Sequence, residues 1–194
     1  MRRFAPALAV IAIMIAIAGA LYLWADARQQ AAIEGLTDLP PELQPKKAAD
    51  RQLLSSWVDA VKANPGDTNG WNNLAGVLFN LGAYAQAEKA YQKSLQIDDS
   101  QADIWSLAGE ARVRQGKQSD PVSVTARFAF NQALRLDPKN LRAHFYISLA
   151  DYNDAKRDRA IDRMRYVAEA SEKDSMAQQA AQQTLREWDA VEDD

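Results

Sequence analysis

Residues of the same type recur along this chain at a spacing of 34 positions. Trp71 and Trp105 are 34 residues apart, and the apolar residues Val61 and Leu95 have the same separation. A fixed period of this length is typical of stacked pairs of antiparallel helices, in which each pair buries its apolar face against the next pair. The period therefore predicts an all-α solenoid, which forms a groove for another polypeptide more often than an active site.

The first predicted repeat covers residues 68–101, and its residue types suit two packed helices. Trp71 and Leu74 lie in the first helix, and Ala87 and Tyr91 lie in the second. The small side chain of Ala87 lets the two helices approach, and the ring of Tyr91 fills the gap between one unit and the next. The pattern resembles the tetratricopeptide repeat (TPR). This resemblance implies a right-handed solenoid of about three helix pairs with flanking helices.

Two further repeats and two flanking helices complete the predicted array. The second unit covers residues 102–140 and the third covers residues 141–174. The second unit is longer because of extra turn-forming residues from Gly116 to Pro121. A lone helix over Ala48–Ala63 precedes the array, and a capping helix over residues 175–191 follows it. Such a cap is expected because the end of a solenoid otherwise exposes its core.

The N-terminal segment contains an uncharged stretch over residues 4–24. As a helix this stretch is about 31 Å long, which matches the ~30 Å hydrocarbon core of a bilayer. Arg2 and Arg3 precede it, so the positive-inside rule places the N-terminus in the cytoplasm and the repeats on the other side of the membrane. We predict one transmembrane anchor within residues 1–25, behind which the array is held. A cleaved signal peptide, with Ala25 to Ala27 as the cleavage site, is the alternative.

The next segment, residues 26–47, is polar and contains Pro40, Pro41 and Pro45. Proline favours extended backbone and ends helices. We predict a linker here that holds a periplasmic TPR domain, residues 48–194, away from the membrane. The alternative is that residues 36–43 pack irregularly against the first helix of the domain.

Composition and motifs argue against several classes of function. The net charge is −3, so no basic field would attract nucleic acid. The chain has no cysteine, which excludes disulfides and thiol chemistry. It has no glycine-rich phosphate loop and no nucleophile motif, so we predict no catalytic residue, cofactor or small-molecule substrate. An enzyme with an unrecognised site remains an alternative.

The chain has one histidine, His144, at a position where the repeat pattern has tryptophan. We predict that it is a packed helix residue, with a haem or metal contact as the alternative. A single histidine without cysteine partners does not have the spacing of a metal site. We therefore predict no metal centre.

The first helices of the units are expected to form a concave face that binds a peptide. An asparagine amide both donates and accepts hydrogen bonds, so a row of them can hold a peptide backbone whatever its sequence. Aromatic rings can seat the apolar residues of a bound helix. The alternative is that the asparagines are merely solvated. The predicted groove residues are Asn69, Asn72, Asn73, Gly76, Phe79, Asn80, Ser106, Glu110, Arg114, Arg142, Phe145, Leu149 and Tyr152.

The order of these segments resembles one particular family. An anchor is followed by NPGDTNGW at 64–71, by a lengthened second unit that ends in LRLDPKN at 134–140, and by RAHFYISLA at 142–150. Over about residues 48–170 this looks like the TPR domain of the cytochrome c maturation proteins of the CcmI, CycH and NrfG type.

The resemblance implies a chaperone of the bacterial inner membrane that binds apocytochrome c, often by its C-terminal helix, and presents it to the haem lyase subunits. Longer family members have two membrane helices with a cytoplasmic stretch between them, whereas one such helix is expected here. A general periplasmic scaffold for the assembly of envelope protein complexes is the alternative function.

Overall fold

The computed structural model describes the backbone of residues 5–116 and 122–192, and the side chains of residues 13–116 and 122–189. The described residues form an all-helical, TPR-like solenoid without strands, as predicted. The superhelical hand stays a prediction. The helices are α1 (Ala5–Thr37), α2 (Ala48–Ala63), α3 (Thr68–Asn80), α4 (Tyr84–Ile97), α5 (Ala102–Gln115), α6 (Val124–Leu136), α7 (Leu141–Asn153), α8 (Arg157–Ala170) and α9 (Met176–Glu192), with a short 3-10 turn at Pro41–Leu43.

The helices pack in sequential pairs. α3 packs on α4, α5 on α6, and α7 on α8, and each pair contacts the next through α4–α5 and α6–α7. α2 flanks the first pair and α9 flanks the last. Because the described contacts join mainly neighbouring elements, the array is built unit by unit, as a solenoid is. We refer to the side formed by α3, α5 and α7 as the first-helix face and to the side formed by α2, α4 and α6 as the second-helix face.

The same side-chain hydrogen bond recurs at the start of each unit. The indole Nε1 of Trp71 donates to the carbonyl of Pro65 at 2.9 Å, and Nε1 of Trp105 donates to the carbonyl of Asp99 at 2.8 Å. In the third unit Nε2 of His144 lies 2.9 Å from the carbonyl of Pro138. The acceptor is a backbone oxygen six residues earlier in each case, so the bond does not require proline at that position. This explains why Asp99 is tolerated there.

The second pair shows how closely the helices approach. A Cβ atom added to Gly109 would lie 2.8 Å from Cε1 of Phe130, so only glycine fits. Phe130 is fully buried, and its ring stacks on Tyr146 with 4.8 Å between centroids. One ring therefore joins α5 and α6 within the second unit and contacts α7 of the third.

α9 covers the C-terminal end of the array. Trp188 is 8% exposed and lies flat on Tyr152, with ring centroids 4.2 Å apart and an interplanar angle of 5°. Ala181 of α9 is buried in the same cluster as Met164 and Val167 of α8. The helix expected at residues 175–191 thus has the packing of a cap.

The segment between residues 26 and 47 differs from the extended linker expected for it. α1 continues as a helix to Thr37, and the first proline, Pro40, comes after its end. Ile33, Leu36 and Leu39 are buried with the first core cluster. Their spacing of three places them near one side of the chain, where a helix can bury them together. The alternative, irregular packing of residues 36–43, agrees with the burial of Leu36 and Leu39, although the chain is helical up to Thr37 and again at Pro41–Leu43.

Two predictions concern residues that the structure does not describe in full. The anchor was predicted to begin at Phe4, which lies outside the described residues, as do the side chains of residues 5–12. Within the described part of the chain, no helix has both the length and the apolar character that crossing a bilayer requires. The longer loop of the second unit was predicted from Gly116 to Pro121, of which 117–121 lie outside the described residues.

Candidate peptide-binding groove

α5, α7 and α9 surround an open cavity of about 740 Å³ on the first-helix face. α5 and α7 are the first helices of adjacent units, and α9 supplies the opposite wall. We call this cavity the first-helix groove. It is lined by Asp103, Glu110, Arg114, Asp137, Lys139, Asn140, Leu141, Arg142, Phe145, Tyr146, Val167, Met176, Ala177 and Ala180.

Glu110 is the centre of a polar cluster in this groove. Its Oε2 lies 2.9 Å from Nε of Arg142, and its Oε1 lies 3.3 Å from Nη2 of Arg114. The carboxylate side chain is 14% exposed, whereas the Arg142 and Arg114 side chains are 38% and 53% exposed. The acid is therefore held in the wall while parts of both guanidinium groups face the open groove.

Tyr146 adds a phenol to this cluster. Burial and, to a smaller extent, the Glu110 carboxylate together raise the pKa of Tyr146 to about 12, although the Arg114 guanidinium opposes the shift. The hydroxyl is therefore protonated at neutral pH, and it lies beside Glu110 and Arg114. The cluster presents neutral and charged hydrogen-bonding groups side by side, which suits recognition of a polypeptide.

Other polar residues of this face hold adjacent units together. Nδ2 of Asn140 donates to Oδ1 of Asp103 at 2.9 Å, across the α5–α7 boundary. Ser106 is fully buried, and its Oγ accepts from Nη1 of Arg142 at 3.3 Å. The predicted groove residue Ser106 thus supports the wall and positions Arg142. It is not available for direct contact with a ligand.

Nδ2 of Asn72 donates to Oε1 of Gln101 at 2.9 Å, which joins α3 to the start of α5. This donor of Asn72 therefore already serves the packing of the first two units. Asn73 turns to its own helix, where its Nδ2 donates to the carbonyl of Asn69 at 2.8 Å.

The remaining predicted residues of α3 form an open polar surface. Asn69, Asn73 and Asn80 are exposed, and a Cβ atom on Gly76 would find no atom within 4 Å. This stretch offers space and amide groups, but it lies outside the cavity between α5, α7 and α9. The structure therefore divides the predicted set into an open surface on α3 and an enclosed groove on α5 and α7.

The three predicted aromatic residues have different surroundings. Phe145 lines the cavity, with its ring edge-on to Tyr146 at 5.4 Å. Phe79 packs edge-on against Tyr84 of α4 at 5.1 Å, and Tyr152 is covered by the indole of Trp188. Only Phe145 among these three lines the groove.

Leu149 is partly buried against the second and third core clusters. It does not line the cavity, so its described role is in packing between units.

Several residues that line the first-helix groove were not predicted from the sequence. Tyr146 follows Arg142 by one helical turn, a spacing that could have indicated a shared face. Met176 is 86% exposed and begins α9, which was interpreted only as a cap. Asn140 was seen as part of the unit boundary. The missing information was the position of α9 across the groove, which no periodicity within the repeats reveals.

His144 is held by protein groups at both ring nitrogens. Nε2 faces the Pro138 carbonyl, and Nδ1 lies 3.2 Å from Nη1 of Arg163. A guanidinium only donates, so Nδ1 accepts and Nε2 carries the proton. Its ring also meets Tyr166 edge-on at 4.8 Å. Within the described residues, no group of three or more His, Asp or Glu side chains has the geometry to hold a metal ion.

Comparison with known proteins supports the repeat and the resemblance. Residues 68–101, the first predicted unit, match the family described as "Tetratricopeptide repeat". The chain is 31% identical over 100 residues to the cytochrome c-type biogenesis protein CycH of Bradyrhizobium diazoefficiens, which covers 52% of this chain and 27% of that protein. It is 29% identical over 123 residues to CycH of Rhizobium meliloti, covering 63% of this chain and 32% of that one.

The matched region thus spans about a third or less of these curated relatives. Together, the matched repeat and the relatives support a TPR protein of the CcmI and CycH type.

Solved structures with the same fold include two crystal structures of MamA. One has a TM-score of 0.52 at 17% identity and covers 69% of this chain and 78% of MamA. The other has a TM-score of 0.53 at 16% identity and covers 70% of both chains. At this identity the likeness shows the helical-repeat fold alone.

Proposed function

We propose that this chain, a TPR protein related to CycH, acts in cytochrome c maturation by binding apocytochrome c in the first-helix groove and presenting it to the haem lyase subunits. The observation that carries this proposal is the open groove of about 740 Å³ between α5, α7 and α9. The names of the related proteins direct it to cytochrome c biogenesis.

The groove chemistry favours an amphipathic helix as the bound segment. The lining has three basic residues, Arg114, Lys139 and Arg142, and three acidic residues, so it has no net charge. The groove therefore has little preference for a positively or a negatively charged ligand, and the apolar side chains contribute most of the attraction between groove and ligand. Phe145 and Met176 both line the cavity and can hold the apolar stripe of a helix, as in helix-in-groove recognition. The C-terminal helix of apocytochrome c is the proposed ligand.

Calorimetric titration of the full chain with a peptide of the apocytochrome c C-terminal helix tests this proposal. Met176→Asp places a charge in the groove at a side chain that is 86% exposed, so the fold should not change. We expect saturable binding to the unsubstituted chain and at least a tenfold loss of affinity, about 1.4 kcal/mol, in this variant.

The matched control is Ile97→Asp, because Ile97 is an exposed apolar residue (44%) at the end of α4 that does not line the groove. It should leave the affinity unchanged. Equal losses in the two variants would contradict the assigned groove. Absence of saturable binding to the unsubstituted chain would instead favour a general scaffold for envelope complexes.

Presentation to the haem lyase requires a ternary complex. We expect the purified haem lyase subunits to retain apocytochrome c more strongly when this chain is present. The measurement is co-purification with and without Met176→Asp. If the haem lyase subunits retain apocytochrome c equally well without this chain, presentation is contradicted. The proposed binding of apocytochrome c to the groove is not affected by that result.

We further propose that residues 4–24 anchor the chain in the bacterial inner membrane, with the repeats in the periplasm. α1 exposes a series of large apolar side chains, including Ile13 at 59%, Leu21 at 61% and Trp24 at 61%. Each such side chain gains about 1.5–3 kcal/mol when it is removed from water, which favours insertion into lipid.

Alkaline carbonate extraction of membranes and a C-terminal alkaline phosphatase fusion test this placement. We expect the chain to stay in the membrane pellet and the phosphatase to be active. Release by carbonate, or an inactive fusion in intact cells, would contradict it. Mass measurement of the mature N-terminus distinguishes an anchor from a cleaved signal peptide.

A further inference from the structure

The second-helix face carries a groove that α1 already fills. We call it the first outer groove; it lies between α2 and α4, where Leu54 and Val58 adjoin Leu39 and where Trp71 and Lys89 adjoin Leu36. α1 contacts both α2 and α4. Ile33 and Leu36 of α1, and Leu39 just after its end, are 0%, 5% and 4% exposed and belong to one cluster with Leu54 and Trp71. An amphipathic helix is therefore the kind of element that fits this type of groove.

A second groove repeats this site one unit further along. We call it the second outer groove; it lies between α4 and α6, has a volume of about 460 Å³, and includes Glu88, Gln92, Trp105 and Phe128. Glu88, Gln92 and Trp105 each follow their counterparts Leu54, Val58 and Trp71 by 34 residues. Phe128 follows Lys89 by 39, since the second unit is longer. Each tryptophan makes the same indole–carbonyl bond.

The second outer groove is open among the described residues. Trp71 under α1 is 2% exposed, whereas Phe128 and Val124 at the second groove are 56% and 81% exposed. Phe128 lies edge-on to Trp105 with 5.8 Å between ring centroids. Removal of large apolar side chains from water is favourable, so these residues form an apolar wall that a docked element would cover.

The residues at the edges of the two grooves differ in charge, so the two grooves suit different helices. At the first groove Nζ of Lys62 lies 3.3 Å from Oε1 of Glu34 on α1. Gln96 and Phe128, both lining the second groove, occupy the positions equivalent to Lys62 and Lys89. The two basic residues at the edge of the first groove suit an acidic helix, and at the second groove they are replaced by uncharged residues.

The charges that line the second outer groove are already matched. Oε2 of Glu88 lies 2.7 Å from Nε2 of Gln115 and 3.4 Å from Nη1 of Arg112. Nε of Arg112 also donates to Thr125 at 3.1 Å. Neither charge therefore calls for an opposite charge on a ligand.

We propose that the second outer groove docks an amphipathic helix of a partner protein, with apolar residues spaced as Ile33, Leu36 and Leu39 are and with an uncharged residue at the position of Glu34. The helix packs over Trp105, between α4 and α6, as α1 packs over Trp71. This site lies on the opposite face from the first-helix groove and is independent of the proposed client binding.

A peptide taken from α1 serves as the probe. A fluorescent peptide of residues 26–39 with Glu34→Gln keeps the apolar spacing and removes the acid that pairs with Lys62. It is titrated against the full chain by fluorescence anisotropy. We expect saturable binding, and weaker binding of the peptide that retains Glu34, because that carboxylate would lose water against Gln96 and Phe128 without gaining a cation.

Equivalent positions of the two grooves supply matched variants. Phe128→Glu should lower the affinity at least tenfold, and Lys89→Glu should change it less than about twofold. Both side chains are exposed, and unchanged circular dichroism and melting temperature would verify that the variants fold. Absence of saturation up to about 1 mM would overturn the proposal. Loss of binding in Lys89→Glu but not in Phe128→Glu would also overturn it, since the peptide would then displace α1.

Discussion

Nε of Arg142 on α7 lies 2.9 Å from Oε2 of Glu110 on α5, and this ion pair joins the first helices of two successive units. Because Glu110 also holds Arg114 at 3.3 Å, one carboxylate sets the position of both arginines that line the first-helix groove. The contact between units and the shape of the candidate site thus depend on the same side chain.

Glu110→Gln should lower the free energy of unfolding by about 1–2 kcal/mol, because it removes the charge that two guanidinium groups share. Both arginines are more than a third exposed, and solvent screening keeps the loss at the lower end of values for charged hydrogen bonds. Urea denaturation measures the change. Asp162→Asn is the control, since Asp162 is 78% exposed and its pair with Arg165 spans 3.7 Å. An equal effect in both variants would contradict the role of Glu110.

Gly109→Ala should destabilise the fold by about 1–3 kcal/mol, because the new methyl group would lie 2.8 Å from the buried ring of Phe130. Gly76→Ala is the matched substitution on α3, where nothing lies within 4 Å of the added Cβ. It should stabilise the chain by roughly 0.5–1 kcal/mol through helix propensity. Thermal unfolding of both variants checks the opposite signs. Similar melting temperatures would show that α5 and α6 are not in such close contact.

Asp154 should make the fold sensitive to acid. Hydrogen bonds from Arg127 and Lys156 hold the pKa of the Asp154 carboxyl well below its usual value. The stability that this group contributes is present above its unfolded-state pKa, about 3.9, and is lost as the pH falls toward the lower folded-state pKa. As the pH falls from about 5 to about 2, through the unfolded-state pKa, Asp154→Asn should lose less stability than the unsubstituted chain. Urea midpoints at several pH values measure this, and parallel curves would contradict it.

Tyr146 should make the fold sensitive to alkali. Burial, with a further contribution from Glu110, raises the pKa of Tyr146 to about 12, compared with about 10 in the unfolded chain. Stability from the neutral phenol is fully present below pH 10 or so and is lost as the pH rises toward 12. Tyr146→Phe should therefore flatten the loss of stability in this interval. Tyr91, with its pKa also raised to about 12 by burial, remains as an internal reference. An unchanged slope would show that Tyr146 titrates normally.

The period of 34 residues was sufficient to predict the helix pairs, because the positions that pack one unit on the next repeat with it. Ala87 and Tyr91 are 0% and 3% exposed, in agreement with the roles inferred from their residue types. The helix expected over Ala48–Ala63 has the same bounds in the structure. These features depend on contacts between units that are near in sequence, which periodicity records well.

The candidate groove was predicted only in part, because a surface depends on elements outside the repeat pattern. Glu110, Arg142 and Phe145 line the cavity, but Tyr152 is covered by Trp188 of α9. The sequence showed that α9 caps the array without showing which first-helix residues it would cover. The segment expected to be a linker differs for another reason: the apolar spacing of residues 33–39 is a stronger signal for packing than the prolines that follow it.

The stacked rings of Trp188 and Tyr152 also limit how copies of the chain can associate. A repeat array with two bare ends presents complementary surfaces, so one copy can continue the stack of the next and form an open filament. Here the Trp188–Tyr152 stack covers the C-terminal end of the array and so removes one of the two surfaces on which such end-to-end growth depends.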